Sequence, residues 1–569
     1  MSPDTSPQNP DPRQPDPRQP DPRQPGPRQP GPRQPGAWRP GAWRPGDEQD
    51  LDRTVAYRVP RPAMGEAHTV RMPSWTEPEE IGSVTLAAPP SPPGRARRGR
   101  GWILALVAAV FVGLVGGGGV WAASKLSGGG TQPQDVLPAN AMAYVRLDLD
   151  PAAGQKLALF GIARKFSATR DSFGGDDPRK ALVTALRKDD PGLAKVDYAR
   201  DVEPWLGDRV GLAVLPAADG GDPVGALAVQ VKDEAAARTG IGKLGLGDGK
   251  GGLAFRDGYA VIAMSQKLAD EYVKAAPLSG DPRFADDLKA LGEQGVLSFW
   301  MDVEKVAETG WADASATLEL PQIKGMRFAG ALRFSGDYAE LAGITRGGTP
   351  TKVRPEPMKI GELPASTVAA ASFSGLGDML REQWPSIEQA AGGPGGEMLR
   401  QTLDGARAQY GLSLPDDLVT LLGRTFTLAL DEQDLDGALP RVGAVLTTDT
   451  AKAQDLVNRV KTHLNGMERS ADIATAEGDG RFVIASTQEY AAALGGGGTL
   501  GESETFRLAV PDSGNATYAV YADLDRLEKL YLEGLKGQAR TDAGMLRAIG
   551  LSGTPSEDGS AFTLRVVFN

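Results

Sequence analysis

The sequence predicts an α+β fold: two tandem related units with mainly antiparallel sheets covered by helices, preceded by one transmembrane helix and a disordered Pro-rich tail. Three observations carry that expectation. A stretch without a single charged residue, Trp102–Ala123, divides the 569-residue chain. Before it, pentapeptides built on proline and arginine repeat, and few aliphatic side chains occur. After it, similar segments recur in the same order, offset by about 215–225 residues.

Residues 1–100 form the first element, a Pro/Arg-rich tail. DPRQP occurs three times and GPRQP twice over 11–35, and GAWRP twice over 36–45. Proline at this density removes backbone donors and favours extended polyproline II, and no core is available to offset the entropy of ordering. Two uses are compatible with such a tail. Its proline segments could dock in the aromatic groove of a cytoplasmic partner, or the tail could be a spacer produced by repeat expansion. Thr54, Thr69 and Thr85 are candidate phosphorylation sites within it.

Residues 101–124 hold the predicted span. A helix over Trp102–Ala123 would be about 33 Å long, matching the hydrocarbon core of a bilayer. Trp102 and Trp121 stand near its ends, where indole rings favour the interface. Arg95, Arg97, Arg98 and Arg100 precede it, and only Lys125 follows closely. That asymmetry places the N-terminus in the cytoplasm and the C-terminal part outside, as a single-pass membrane protein. Gly116–Gly119 lowers helix propensity in water, but glycine is better tolerated in membranes and permits close helix packing.

Residues 125–134 read as a Gly-rich linker, 135–349 as repeat unit 1, 350–360 as a second linker and 361–569 as repeat unit 2, both units extracytoplasmic. DVLPANAMAYVRLDLDP (135–151) resembles GELPASTVAAASFSGLGD (361–378). WLGDRVGLAVLP (205–216) resembles LLGRTFTLALD (421–431), and GYAVIAMSQKLADEYV (258–273) resembles GRFVIASTQEYAAAL (480–494). Within unit 1, period-two alternation predicts strands over 141–147, 210–215, 224–231, 259–263 and 296–302. Helical periodicity predicts helices over 152–169, 178–188, 266–275 and 281–292. Asp233, Ser265, Thr448 and Asp449 are candidate N-caps, and Asp257-Gly258 is a hairpin turn signal.

The LPANAMAYVRLDLDP opening just after a span, the WLGDRVGLAVLP segment and the pattern at Phe284 and Asp302 resemble an uncharacterised actinobacterial family, domain of unknown function 3352. The resemblance implies a membrane-anchored envelope protein without an assigned activity. It implies no catalytic residues.

Composition narrows the chemistry. There is no Cys, which excludes disulfides, thiol nucleophiles and thiolate metal sites. The two histidines, His68 and His463, lie on opposite sides of the predicted span. Residues 1–100 carry 15 Lys and Arg against 12 Asp and Glu, and the remainder 47 against 61. An acidic outer part repels nucleic acid, so no nucleic-acid partner is expected. Gly240–Gly252 is glycine-rich but lacks the strand–turn–helix setting of a dinucleotide site. Paired carboxylates are the remaining chemical candidates: Asp148 with Asp150, Asp302 with Glu304, and Asp523 with Asp525. On a strand each pair would share a face and could bind a hard cation or serve acid/base chemistry. At a strand end the same residues cap the following helix. Trp205, Trp300 and Trp384 read as core residues.

No catalytic, cofactor or metal site is therefore assigned. The expected function is a membrane-anchored extracytoplasmic binding or interaction protein of the cell envelope, held in the lipid bilayer by one helix. Its partners would be an envelope protein or wall ligand outside, and a cytoplasmic partner for the tail. The alternative is a cell-surface hydrolase using carboxylates. A third reading, a chaperone-like or assembly role, predicts an uncovered sheet with an apolar surface patch.

Overall fold

The structure, a computed structural model, describes residues 130–569 except 171–178, 181–182, 184–195, 219, 245–250, 310–322, 349–352, 394, 434–439, 467–472, 479 and 557. The predicted tail, the span over 102–123 and most of the predicted helix 178–188 lie outside the described residues. Among the described residues no helix is long and apolar enough to cross a membrane.

Among the described residues, sixteen strands form one sheet. The first eight are β1 (Ala143–Asp148), β2 (Leu206–Leu215), β3 (Val224–Val231), β4 (Gly252–Arg256), β5 (Tyr259–Ala263), β6 (Leu297–Asp302), β7 (Arg327–Ser335) and β8 (Tyr338–Arg346). The second eight are β9 (Thr367–Ser374), β10 (Thr425–Asp431), β11 (Val442–Thr447), β12 (Ala474–Gly478), β13 (Arg481–Ala485), β14 (Tyr518–Asp523), β15 (Leu546–Ser556) and β16 (Gly559–Phe568). Their order across the sheet is β12-β13-β11-β10-β9-β14-β15-β16-β8-β7-β6-β1-β2-β3-β5-β4. Each strand of the first set has its counterpart eight numbers later, and the order reads the same from either edge. Every neighbouring pair is antiparallel.

The expected pair of sheets is thus a single sheet. The reason is the seam: β8 and β16, the last strand of each set, pair over nine registered positions from Arg346↔Gly559 to Tyr338↔Val567. Pairing them satisfies two rows of backbone groups that would otherwise be open edges. Glu340, buried on β8, accepts from Arg333 Nη1 at 3.0 Å and from Arg565 Nε at 2.8 Å. The Arg565 guanidinium also lies 4.1 Å from the centre of the Tyr338 ring. Buried charges persist only when paired in this way.

Helices cover both faces. On the face that carries Tyr144, helices Gln266–Tyr272 and Pro282–Leu291 pack over the first set, and Gln488–Gly496 and Glu504–Ala509 over the second. Phe284 meets the Trp300 ring edge-on at 5.4 Å, and Phe506 meets Tyr521 edge-on at 5.0 Å, in like places. Such pairs add about 0.5–1.5 kcal/mol beyond burial of their area. On the opposite face, helix Glu234–Lys243 covers β2, β3 and β5, and helix Thr450–Gly466 covers β11 and β13. Helix Ala153–Lys165 covers one end of the strands near the seam on that face.

Local signals read from the sequence hold in detail. Asp233, Ser265 and Asp449 accept from Ala236, Leu268 and Lys452 backbone N–H groups. Thr448 instead donates to the Thr420 carbonyl. Asp257 and Gly258 both take positive φ, 48° and 80°, as a two-residue hairpin turn requires. The end of the expected linker differs from a free tether. Tyr144 Oη donates to Gln134 Oε1 at 2.6 Å, and Tyr259 Oη donates to the Thr131 carbonyl at 2.9 Å. Pro133 sits so close over Gly211 that any side chain on that glycine would collide with it.

Candidate functional site

The paired carboxylates make capping, backbone and ion-pair contacts. β1, β6 and β14 end on the first member of each pair, so the second member falls in a turn or helix instead of on the same strand face. Asp302 caps helix Val303–Glu308 by accepting from Lys305 N at 3.2 Å, and it pairs with Arg283 at 3.3 Å. Glu304 accepts from Gly325 N at 2.9 Å. Asp523 accepts from Arg526 N at 3.2 Å and from Tyr521 Oη at 3.3 Å. Asp525 accepts from Asn569 Nδ2 at 2.8 Å. Asp148 lies buried against Arg146 at 2.5 Å and accepts from Asp150 N. Burial raises the Asp150 carboxyl above its ordinary value, against the lowering effect of Lys156.

Asp302 and Asp523 also stand too far apart to act together. Five strand spacings separate β6 from β14, about 24 Å at about 4.8 Å per strand. A carboxylate pair acting on one bond needs about 5–10 Å. Among the described residues no group of three His, Asp or Glu side chains could hold a metal ion.

His463 lines an open cavity of about 430 Å³ with Tyr410, Gly411, Asn458, Arg459 and Thr462. Its ring meets Tyr410 edge-on at 6.1 Å, and its Nε2 is buried without a hydrogen-bond partner among the described residues. No carboxylate lines the cavity. Arg459 is committed to Asp417 at 2.8 and 3.1 Å and to the Gly411 carbonyl. Burial would raise the Asp417 carboxyl, but Arg459 and the Ser413 N–H hold it below its ordinary value. This cluster ties helix Asp416–Leu422 to helix Thr450–Gly466, and among the described residues His463 has no acid/base partner. His68 lies outside the described residues.

Trp205, Trp300 and Trp384 are all buried, as expected of core residues. Trp300 Nε1 donates to Asp287, which also takes a two-pronged ion pair from Arg327. Trp205 packs against Gly240, where any side chain would strike the indole. The first glycine of the Gly240–Gly252 segment therefore serves helix packing.

The feature that remains is on the sheet face opposite Tyr144. One register row runs unbroken across six strands and the seam: Leu428, Ala371, Val520, Leu551, Leu564 and Leu341. None of the six belongs to a buried core cluster; Leu428 is 43% exposed and Val520 37%, and Ala371, Leu551, Leu564 and Leu341 are half-buried. A second row, two residues along each strand, holds only rings and glycines: Phe426, Phe373, Tyr518, Gly553, Phe562, Gly343, Gly330 and Phe299. Tyr518 lies over Gly553, Phe562 over Gly343 and Phe299 over Gly330, each ring so close that a Cβ on the glycine would overlap it. Phe562 also stacks on Phe328 at 6.0 Å. Each of these glycines leaves room for the ring on the neighbouring strand, and the row is apolar from ring to ring. Its polar border is a hydrogen bond of 2.7 Å between Thr345 and Ser560 across the seam.

This lane is what residue-by-residue reading passed over. The available signal was that β14 (YAVYAD) and β16 (GSAFTLRVVF) carry apolar residues at both alternating positions over part of their length, which predicts two apolar faces.

Comparison with known proteins finds a family match. Residues 104–245 are similar to the family described as "Protein of unknown function (DUF3352)". The match begins inside the predicted span and ends just past helix Glu234–Lys243. No curated protein and no solved structure matches the chain.

Proposed function

We propose that this chain is a membrane-anchored binding protein of the cell envelope, whose working surface is the apolar lane on the sheet face opposite Tyr144. The reading takes the predicted span as the anchor and the Pro/Arg tail as its cytoplasmic end. It takes the two strand sets as a duplicated unit, residues 135–349 and 361–569, displayed outside an actinobacterial cell. The carrying observation is the row from Leu428 to Leu341, aliphatic at every strand and outside the buried cores. Contiguous apolar surface of this kind is costly to leave in water and marks interaction sites on soluble bodies. The reading also accounts for the carboxylates, which are used for capping and pairing and leave the hydrolase alternative without a constellation.

The test is binding of an apolar fluorescent dye to the full chain held in a lipid-free amphipathic polymer. Val520→Asp places a charge in the lane at a site already exposed. The expected result is saturable dye binding that falls about tenfold in the variant, with thermal unfolding unchanged. Equal dye binding by both proteins overturns the reading. A second arm exploits the absence of native Cys. A cysteine at Asp525 should react with an impermeant maleimide in intact cells, and one at Asp4 only after permeabilisation; the reverse pattern overturns the proposed orientation.

A further inference from the structure

We infer that the occupant of the lane is a hydrocarbon chain, the acyl tail of a membrane lipid. This rests on the binding reading above and names its ligand.

The chemistry of the floor selects the class. From Leu428 to Leu341 the first row presents no hydrogen-bonding side chain, and in the second row only Tyr518 carries one. The backbone beneath is occupied by strand pairing on both sides of β9, β14, β15, β16 and β8. An extended peptide laid on this face would bury its own N–H and C=O groups without partners, at about 1–3 kcal/mol for each group. A methylene chain has no such groups and gains about 0.8 kcal/mol per CH₂ buried.

The dimensions agree. Six strands across span about 24 Å at about 4.8 Å per strand. One leaflet of a bilayer has a hydrocarbon depth of about 15 Å, half of about 30 Å. The lane is therefore long enough for an extended acyl chain. At the β8–β16 seam the Phe562 ring lies against Gly343, so the apolar row continues across the seam.

Position supports the same occupant. Only a few residues separate the end of the predicted span at Ala123 from Thr131, whose carbonyl is held by Tyr259. Seven residues extend at most about 25 Å. An anchor at 102–123 thus keeps the sheet body within reach of lipid.

The experiment uses the full chain in vesicles of phosphatidylethanolamine and phosphatidylglycerol containing a phospholipid with a photoactivatable diazirine near the end of its acyl chain. After irradiation, labelled peptides are mapped by mass spectrometry. The expected result is label on β14, β15 and β16, falling about tenfold in Val520→Asp. Leu564→Asp serves as the second variant, at the seam. Label confined to 102–123 overturns the inference. So does a Val520→Cys chain that forms disulfide-linked pairs in place of lipid label, which would make a second copy the occupant. Dye binding without lipid label leaves the binding reading standing and removes only the hydrocarbon ligand; loss of both removes the binding reading itself.

Discussion

Leu341 on β8 and Leu564 on β16 are register partners across the seam between the two strand sets, and the apolar row passes through this pair without a break. On the other face the neighbouring register pair is Glu340 with Arg565, an ion pair at 2.8 Å. Successive residues of one strand pair thus perform different tasks: the charged pair ties the halves together, and the leucine pair continues the lane. Alternation of side chains along a strand makes this division possible.

Glu340 is the buried acceptor for both Arg333 and Arg565. Glu340→Ala leaves two guanidinium groups facing each other without their shared carboxylate. The expected loss is about 3–5 kcal/mol of stability. Urea unfolding of wild type and variant checks it. A shift within about 0.5 kcal/mol, the range of an ordinary surface substitution, would show that the seam does not depend on the triad.

Gly343 backs the Phe562 ring, which a Cβ would approach to 2.3 Å. Gly343→Val lifts the ring from the floor and forces a shift in β16. Overpacking of this sort costs about 1–3 kcal/mol. The same variant should weaken dye binding, because the displaced Phe562 ring alters the lane's surface. Thermal unfolding and dye titration on one preparation test both effects, and unchanged values in both would contradict the role given to the glycine.

Asp523 supplies a pH dependence. Burial raises its carboxyl above the ordinary value, against the lowering effects of the Arg526 N–H and guanidinium. With the folded value above the unfolded one, folding favours the protonated form. Stability from this group is full below the ordinary carboxylate range and is lost as pH rises through the raised value. Asp523→Asn keeps an oxygen for the Arg526 N–H and removes the charge. It should be more stable than wild type near pH 7, with the advantage shrinking as pH falls through the raised value and staying constant below about 4. Melting temperatures across that range check the sign; a difference independent of pH would refute it.

Much of the fold was legible before any coordinates. The strands at 224–231 and 259–263 were predicted with the bounds they have, because each is a short apolar run closed by turn or cap residues. The caps at Asp233, Ser265 and Asp449 were legible because a capping side chain bonds a backbone group only two or three residues away. The carboxylate pairs were ambiguous for the same reason. Whether Asp302 caps or catalyses depends on where β6 stops, and strand ends are set by neighbours distant in sequence. Arg327 on β7 is Asp302's register partner, and Met142 supplies the carbonyl that accepts the Asp302 N–H.

By itself the sequence determined the charge-free stretch at 102–123, the tail composition, the alternation within strands and the recurrence of similar segments in order. All of these depend on residues close in the chain or on likeness between segments. The tertiary structure alone decided that the two strand sets join through β8 and β16 into one sheet. It also decided which apolar face the described helices bury and which of its residues stay outside their cores as the lane. Alternation marks a face as apolar, but whether that face is covered depends on where distant helices settle. Pairing of β8 with β16, more than two hundred residues apart, is likewise a choice made between edges and not within a segment.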